Sequence, residues 1–374
     1  MKTNNKGSNQ VKQLKYLLTI VTMWLAATTV NAQLAGKNVL LIHGFKTEHI
    51  LNPPSDEGLA DGLASWADFE PTLIDPATTR ILYWPSHYRL SGAGGIAALI
   101  ASELTPILES GFCDDQCIVI THSTGDLVAR YILANKLSLL GSSLASRFKV
   151  AAVIDLAGAG GGTELANLAV DVIEGVDIGT DTLAVLLEFA GFNFEPGMDP
   201  GILINLQPSV ARNTAVNSIS AIPRLRVASS GSGTFGFVTH AIIKGQDDSV
   251  VPLHSTCGAF DDGAYDSCVQ DLSMDGRITS ISNAPSLSQL YDYHYPIILS
   301  ASVSHSDMHK NKTGHDMTFA LSGADHYNSS HVKSIDVAVE YETSRVWWDW
   351  FREYRFITDA KVKTMGRVIV DSFE

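Results

Sequence analysis

The sequence predicts an α/β protein: a mostly parallel sheet, doubly covered by helices, with an inserted cap or lid. Three observations carry this. Val39-Leu-Leu-Ile42 and Ile118-Val-Ile120 are apolar runs without alternation, the pattern of strands buried on both faces. Segments with apolar residues at helical spacing alternate with such runs. From about residue 160 to 222 the rhythm breaks into glycine-rich turns and a further apolar stretch.

The chain begins with Lys2, Lys6, Lys12 and Lys15 and no acidic residue, followed by an apolar stretch from Tyr16 to Val30 and the small-residue site Val30-Asn31-Ala32. This order reads as an export signal over 1–32, cleaved before Gln33. The alternative, a membrane anchor, needs roughly 20 apolar residues, and this stretch is shorter and interrupted by threonines. Residues 33–374 then form the folded domain. A secreted or periplasmic location follows.

In the mature chain, Lys37 to Phe45 opens with the first strand, and Arg80-Ile-Leu-Tyr-Trp-Pro85 is a second, ended by proline. Gly94 to Gly111 places Ile96, Leu99, Ile100, Leu104 and Leu108 at helical spacing. Cys117 to Ile120 is a third strand, Gly125 to Lys136 a helix, and Phe148 to Leu156 a fourth strand. Within the insertion, Leu183 to Phe194 is apolar and Ser209 to Asn217 reads as a polar helix. After it, His240-Ala-Ile-Ile-Lys244 is read as a strand leading into Gly245-Gln-Asp-Asp-Ser-Val-Val-Pro252. Tyr295 to Val303 and Met317 to Leu321 are strand-like. Trp347, Trp350, Phe351 and Tyr354 recur at three and four residues, which predicts a final helix over about 336–356, packed on the sheet.

The 374-residue chain is 45% hydrophobic and 18% charged, with a formal net charge of −14. Loss of the leader removes four lysines and no acid, making the mature surface more negative still. Such a surface argues against nucleic acid and anionic membranes as partners. The four cysteines, Cys113, Cys117, Cys257 and Cys268, favour disulfides in an exported chain. Proximity favours Cys113–Cys117 with Cys257–Cys268. Four ligands to zinc are the alternative.

The most informative stretch is Ile118-Val-Ile-Thr-His-Ser-Thr-Gly-Asp126. A buried strand runs into Ser123 and a helix begins directly after it, the context of a strained turn that exposes a serine hydroxyl at the sheet edge. Gly125 meets the need for a small residue two positions on, whereas Thr121 stands where glycine is usual. A simple serine N-cap is the bland reading of the same residues.

With His43-Gly44-Phe45 after the first strand, this motif resembles the α/β-hydrolase fold of bacterial secreted lipases and carboxylesterases. The resemblance implies hydrolysis of carboxylic esters through an acyl-enzyme, without a cofactor. Ser123 would be the nucleophile, and the backbone N–H groups of Phe45 and Thr124 would form the oxyanion hole. In that fold the chain order is serine, acid, histidine. Alignment with the family's acid loop selects Asp248, with Asp247 as the alternative. Placement after a late strand selects His305 from Ser304-His-Ser-Asp-Met308, with His326 second. Asp155, inside a strand, is expected to be structural, and His43 and His122 to support loops. His305, His309 and His315 lack the helical pattern of a zinc protease, so no metal is expected.

The apolar residues Leu183, Val185, Leu186, Leu187, Phe189, Phe192 and Phe194 favour lipid or other hydrophobic ester substrates and leave contact with a lipid interface open. An acyltransferase, or a non-catalytic binding protein on the same scaffold, are the rival readings.

Overall fold

The computed structural model describes residues 34–51, 59–179, 195–214, 222–231, 239–268, 290–291, 296–320, 339–347 and 349–373. The leader, the apolar stretch 183–194, His294, His326 and His331 lie outside the described residues.

The strands are β1 (Asn38–Ile42), β2 (Thr79–Leu82), β3 (Cys117–His122), β4 (Val150–Leu156), β5 (Arg224–Ser229), β6 (Ile297–Ser300), β7 (Met317–Ala320), β8 (Tyr341–Val346) and β9 (Asp349–Ile357). They form one sheet in the order β2-β1-β3-β4-β5-β6-β7-β9-β8. From β2 to β6 every neighbouring pair is parallel; β6–β7, β7–β9 and β8–β9 are antiparallel. The mixed α/β class with a mostly parallel sheet is therefore the observed one.

The helices are α1 (Glu48–Leu51), α2 (Leu59–Trp66), α3 (Ile96–Glu109), α4 (Gly125–Arg147), α5 (Glu164–Ile173), α6 (Leu203–Leu206), α7 (Pro208–Ala211), α8 (Leu253–Thr256) and α9 (Met365–Asp371). From β1 the chain steps to β2 on one side, then crosses back past β1 to β3 on the other. Because parallel crossovers are right-handed, this reversal puts α2 on the face opposite α3 and α4. Strand residues facing both ways are consequently buried: Leu40, Leu41, Val119, Ile120, Val153 and Ile154 are at most 1% exposed. On one face, Leu40, Val119 and Val153 pack with Ile100, Leu104 and Leu108 of α3 and with Leu127, Val128 and Ile132 of α4. The reversal also makes the gap between the C-terminal ends of β1 and β3 a topological switch point, the place where ligands bind in open α/β sheets.

Three sequence expectations are corrected. The final helix is instead the β8–β9 hairpin. Its aromatic residues do not form one packed face, since Trp347 is 78% and Trp350 68% exposed while Tyr354 is buried. Residues 240–244 form a turn rather than a strand, with Ile243 buried from a loop. The strand that precedes the acid loop is β5, over a segment with no expected element. Its Arg224 and Arg226 interrupt the apolar pattern, yet both are buried, held by Asp126 and Asp155. The two disulfides are Cys113–Cys117 and Cys257–Cys268, as proximity favours.

Candidate active site

Ser123 sits immediately after β3 with φ 55°, in the left-handed region that a residue with a Cβ normally avoids. Such a conformation costs of order 1–3 kcal/mol and persists only where the surroundings enforce it. Here they do. The Ser123 amide donates to the Leu156 carbonyl (3.0 Å), and the Ser123 carbonyl accepts from the amides of Asp126 (3.1 Å) and Ala159 (2.9 Å). The turn also demands two glycines. A Cβ on Gly125 would lie 2.5 Å from the Ile42 carbonyl oxygen, and one on Gly44 would lie 2.8 Å from the Ser123 Cβ.

Thr121, where glycine is usual, is accommodated by chemistry rather than by space. Its buried hydroxyl donates to Asp155 Oδ1 at 2.7 Å. Asp155 Oδ2 in turn accepts from Arg224 Nη1 (2.7 Å) and Arg226 Nη1 (2.6 Å). The same two guanidinium groups reach Asp126 at 3.0 Å each, and Asp126 Oδ2 accepts from the Gly160 amide (3.0 Å). These charges lie beneath the serine turn, joining β4, β5 and α4 to the loop after β4. Asp155 thus supports the turn from inside the sheet.

The acid loop lies between β5 and β6. Asp248 is 1% exposed; its Oδ1 accepts from the amides of Val250 (3.0 Å) and Val251 (2.8 Å), which fixes the carboxylate. Its Oδ2 lies 2.7 Å from His305 Nδ1. His305 follows β6, in a 3₁₀ turn over His305–Asp307, and its amide also donates to the Asp248 carbonyl (3.3 Å). A carboxylate only accepts, so the Nδ1 of His305 carries a proton. Asp247, the alternative acid, turns elsewhere: its Oδ2 pairs with His240 Nδ1 at 2.5 Å and its Oδ1 accepts from the Ser249 amide.

His43 and His122 brace this arrangement. His43 Nε2 accepts from the Trp84 amide (3.1 Å), so its Nδ1 donates to the Gly44 carbonyl (2.7 Å). Its ring stacks on Trp84 at 5.0 Å. Burial lowers its pKa to about 3, with the Gly44 hydrogen bond opposing weakly. His122 Nε2 reaches the His305 carbonyl oxygen at 3.1 Å, and burial, then the nearby His309 and His305, hold its pKa well below the usual value. Both rings are therefore neutral and only weakly basic near neutral pH.

Ser123, His305, His122, Gly44 and Phe45 line one cleft of about 540 Å³. Ser123, Phe45 and Thr124 also line a smaller apolar cavity of about 60 Å³. Among the described residues, the amides of Phe45 and Thr124 donate to no protein acceptor. A serine on a strained strand-to-helix turn of a parallel sheet, followed in the chain by a fixed carboxylate and its histidine, is one recognisable arrangement. It resembles the arrangement found in the α/β-hydrolase fold.

The chain is similar to several solved structures. A metagenomic carboxyl esterase shares 15% identity, with 60% of this chain and 60% of that chain covered at a TM-score of 0.36. A Bacillus licheniformis lipase in mature form shares 14%, over 58% and 77% of the two chains, at 0.35. The phospholipase PlaB from Legionella pneumophila shares 16%, over 59% and 45%, at 0.36. The chain thus spans less than two thirds of the esterase's length. No family model matches the sequence, and no curated protein matches it.

Sequence reasoning missed the residues that shape the cavities. Leu165, Ala166 and Ala169 come from α5 and Leu203 and Leu206 from α6. The i, i+4, i+7 spacing of Leu165, Ala169 and Val172 was the signal for α5. Lys46, Asp68 and Lys310, on the other cleft, carry no signal of their own, being brought together only by the fold. His315 lies apart from the serine, its Nδ1 3.0 Å from Ser302 Oγ. Among the described residues no group of three or more His, Cys, Asp or Glu side chains could hold a metal ion.

Proposed function

We propose that the chain is a serine hydrolase that cleaves carboxylic esters through an acyl-enzyme, with Ser123 as nucleophile, His305 as base and Asp248 as its orienting acid. One observation carries this reading: Ser123, strained at φ 55°, opens onto the cleft lined by His305, whose Nδ1 is held 2.7 Å from the buried Asp248.

Nε2 of His305 takes the Ser123 proton as Oγ attacks the ester carbonyl carbon. The oxygen that becomes negative is received by the amides of Phe45 and Thr124. Donors fixed there stabilise charge that exists only in the transition state, and losing one typically costs about 10²–10³ in rate. Collapse of the tetrahedral species breaks the bond to the alcohol, which leaves with the proton from His305. Water then gives its proton to His305 and attacks the acyl-serine, the acid departs and Ser123 is restored. Asp248 keeps the imidazole in the working tautomer and stabilises its charged form.

The segment between β4 and β5 acts in this reading as the cap, since α5 and α6 supply apolar walls beside Ser123. Export through the 1–32 leader agrees with two disulfides, which persist in oxidising compartments. Among the described residues no helix is long and apolar enough to cross a membrane.

The test is hydrolysis of p-nitrophenyl butyrate by the native chain and by Ser123→Ala, Asp248→Ala, His305→Ala and His326→Ala. Ser123→Ala and His305→Ala are each expected to lose at least about a thousandfold in kcat. His326→Ala is expected to stay active; the reverse outcome for the two histidines would reassign the base.

A further inference from the structure

Two cavities meet at Ser123, the smaller almost wholly apolar and the larger mixed, with Phe45, Ala64 and Val250 beside its polar groups. The smaller, about 60 Å³, is walled by Phe45, Ala166, Ala169, Leu203, Leu206 and Val251. The larger, about 540 Å³, is bordered by Lys46, Glu48, Asp68, Ser306, His309 and Lys310.

Proton transfer decides which half of an ester each would take. In acyl transfer to a serine, the imidazole that accepts the serine proton returns it to the departing alkoxide. The alcohol must therefore lie on the His305 side, and His305 lines only the larger of these two cavities. The acyl chain is left with the apolar one. There, α5 presents alanines where longer side chains would fill the space, while Leu203 and Leu206 bound it. A single water needs at least about 10–15 Å³ of such space, so a cavity of about 60 Å³ has room for only a short chain.

On the alcohol side, two lysines are matched by two carboxylates, and Lys46 Nζ lies 3.9 Å from Glu48 Oε1. The His309 ring adds no charge at neutral pH, since burial lowers its pKa to about 4. A wall with balanced charges and many donors and acceptors suits a neutral, hydrogen-bonding partner. An alkyl chain laid against those charged and polar groups would strip water from them without replacing its hydrogen bonds.

We infer that this site, resting on the serine-hydrolase reading above, takes esters of short acyl chains with neutral hydroxyl-rich alcohols such as polyols or sugars. This departs from the hydrophobic esters expected from residues 183–194, which lie outside the described residues.

The experiment has two arms, run on the full mature chain at substrate concentrations below aggregation. In the first, kcat/KM is measured for p-nitrophenyl esters from acetate to palmitate. The expected maximum is at hexanoate or shorter, with a fall of about tenfold or more by dodecanoate, the scale of discrimination by a few methylenes. Ala169→Leu moves the maximum toward acetate, and Leu203→Ala moves it toward octanoate; the second variant serves if the first is overpacked and fails to fold. In the second arm, glucose 6-butyrate is compared with dodecyl butyrate. The sugar ester is expected to be cleaved about tenfold faster or better, and Lys310→Met with Asp68→Leu narrows that ratio.

A native maximum at dodecanoate or beyond, or a preference for dodecyl butyrate, overturns the inference. Labelling of Ser123 by a fluorophosphonate separates the two levels. A labelled enzyme with long-chain preference contradicts only the substrate class, whereas an unlabelled Ser123 with no hydrolysis contradicts the catalytic reading as well.

Discussion

His122 Nε2 lies 3.1 Å from the carbonyl oxygen of His305, so the residue just before the strained serine holds the backbone of the histidine that faces it. The end of β3 is thereby tied to the turn after β6, two elements separated in the sheet by β4 and β5. His122 contributes position rather than protons, because burial keeps its ring neutral. Replacing it by Phe preserves bulk and removes the donor. The expected result is a fall in kcat of about ten- to a hundredfold, the cost of a misplaced group, with KM little changed. Equal loss in kcat and stability, with a correspondingly smaller folded fraction, would instead mark His122 as merely structural.

The two adjacent carboxylates of the acid loop have separate partners, Asp248 with His305 and Asp247 with His240. Asp248→Asn keeps the shape but presents the wrong partner to Nδ1, and kcat is expected to drop by about 10⁴. Asp247→Asn is expected to retain most of the activity. Steady-state kinetics on the two variants checks this directly, and a larger loss at Asp247 would reverse the assignment.

How much of this was legible in the residues follows from where the fold obeys simple patterns. β1 and β3 are buried on both faces and read directly from their unbroken apolar runs. Ser123 and His305 were selected by their positions after strands, and Asp248 by the resemblance of its segment to the family's acid loop. β5 was illegible because its buried arginines make sense only beside Asp126 and Asp155, which lie about 70 to 100 residues earlier. The final hairpin was misread because aromatic spacing of three and four mimics a helix. Its real pattern is a strand in which Tyr354 is buried and Trp350 exposed. The cavity walls were legible only in the apolar spacing that marks α5, since they are assembled from α5, α6 and the loops after β1 and β5.

Thr121 and Asp155 give a stability test that leaves the reacting atoms untouched. Thr121→Val keeps the volume but removes the hydroxyl that donates to Asp155 Oδ1 at 2.7 Å. Leaving a buried acceptor short of a partner is expected to cost about 1–3 kcal/mol. Urea unfolding measures it through the shift of midpoint at constant slope. An unchanged midpoint would show that the contact is dispensable.

Acid sensitivity follows from the buried histidines. Burial lowers the pKa of His43 and His254 to about 3 and of His309 to about 4, from an ordinary 6.5. The unfolded chain therefore binds protons below about pH 6.5 that the folded chain refuses until about pH 4 or lower. Stability is expected to fall as pH drops through that window. Glu103 works in the opposite sense: burial raises its pKa to about 7, so it favours the folded state between about pH 4.5 and 7 less as pH rises. Thermal melts from pH 7.5 to 4.5 are expected to show a net decline, three histidines outweighing one carboxyl. A Tm that rises on acidification would contradict this balance.

The most direct measurement is peptide mapping by mass spectrometry after treatment with a fluorophosphonate, with hydrolysis of p-nitrophenyl butyrate followed on the same samples. The expected result is one adduct, on the peptide that contains Ser123, growing in step with the loss of activity and absent in Ser123→Ala. Inactivation with the adduct on another residue, or full hydrolysis by Ser123→Ala, would contradict the account.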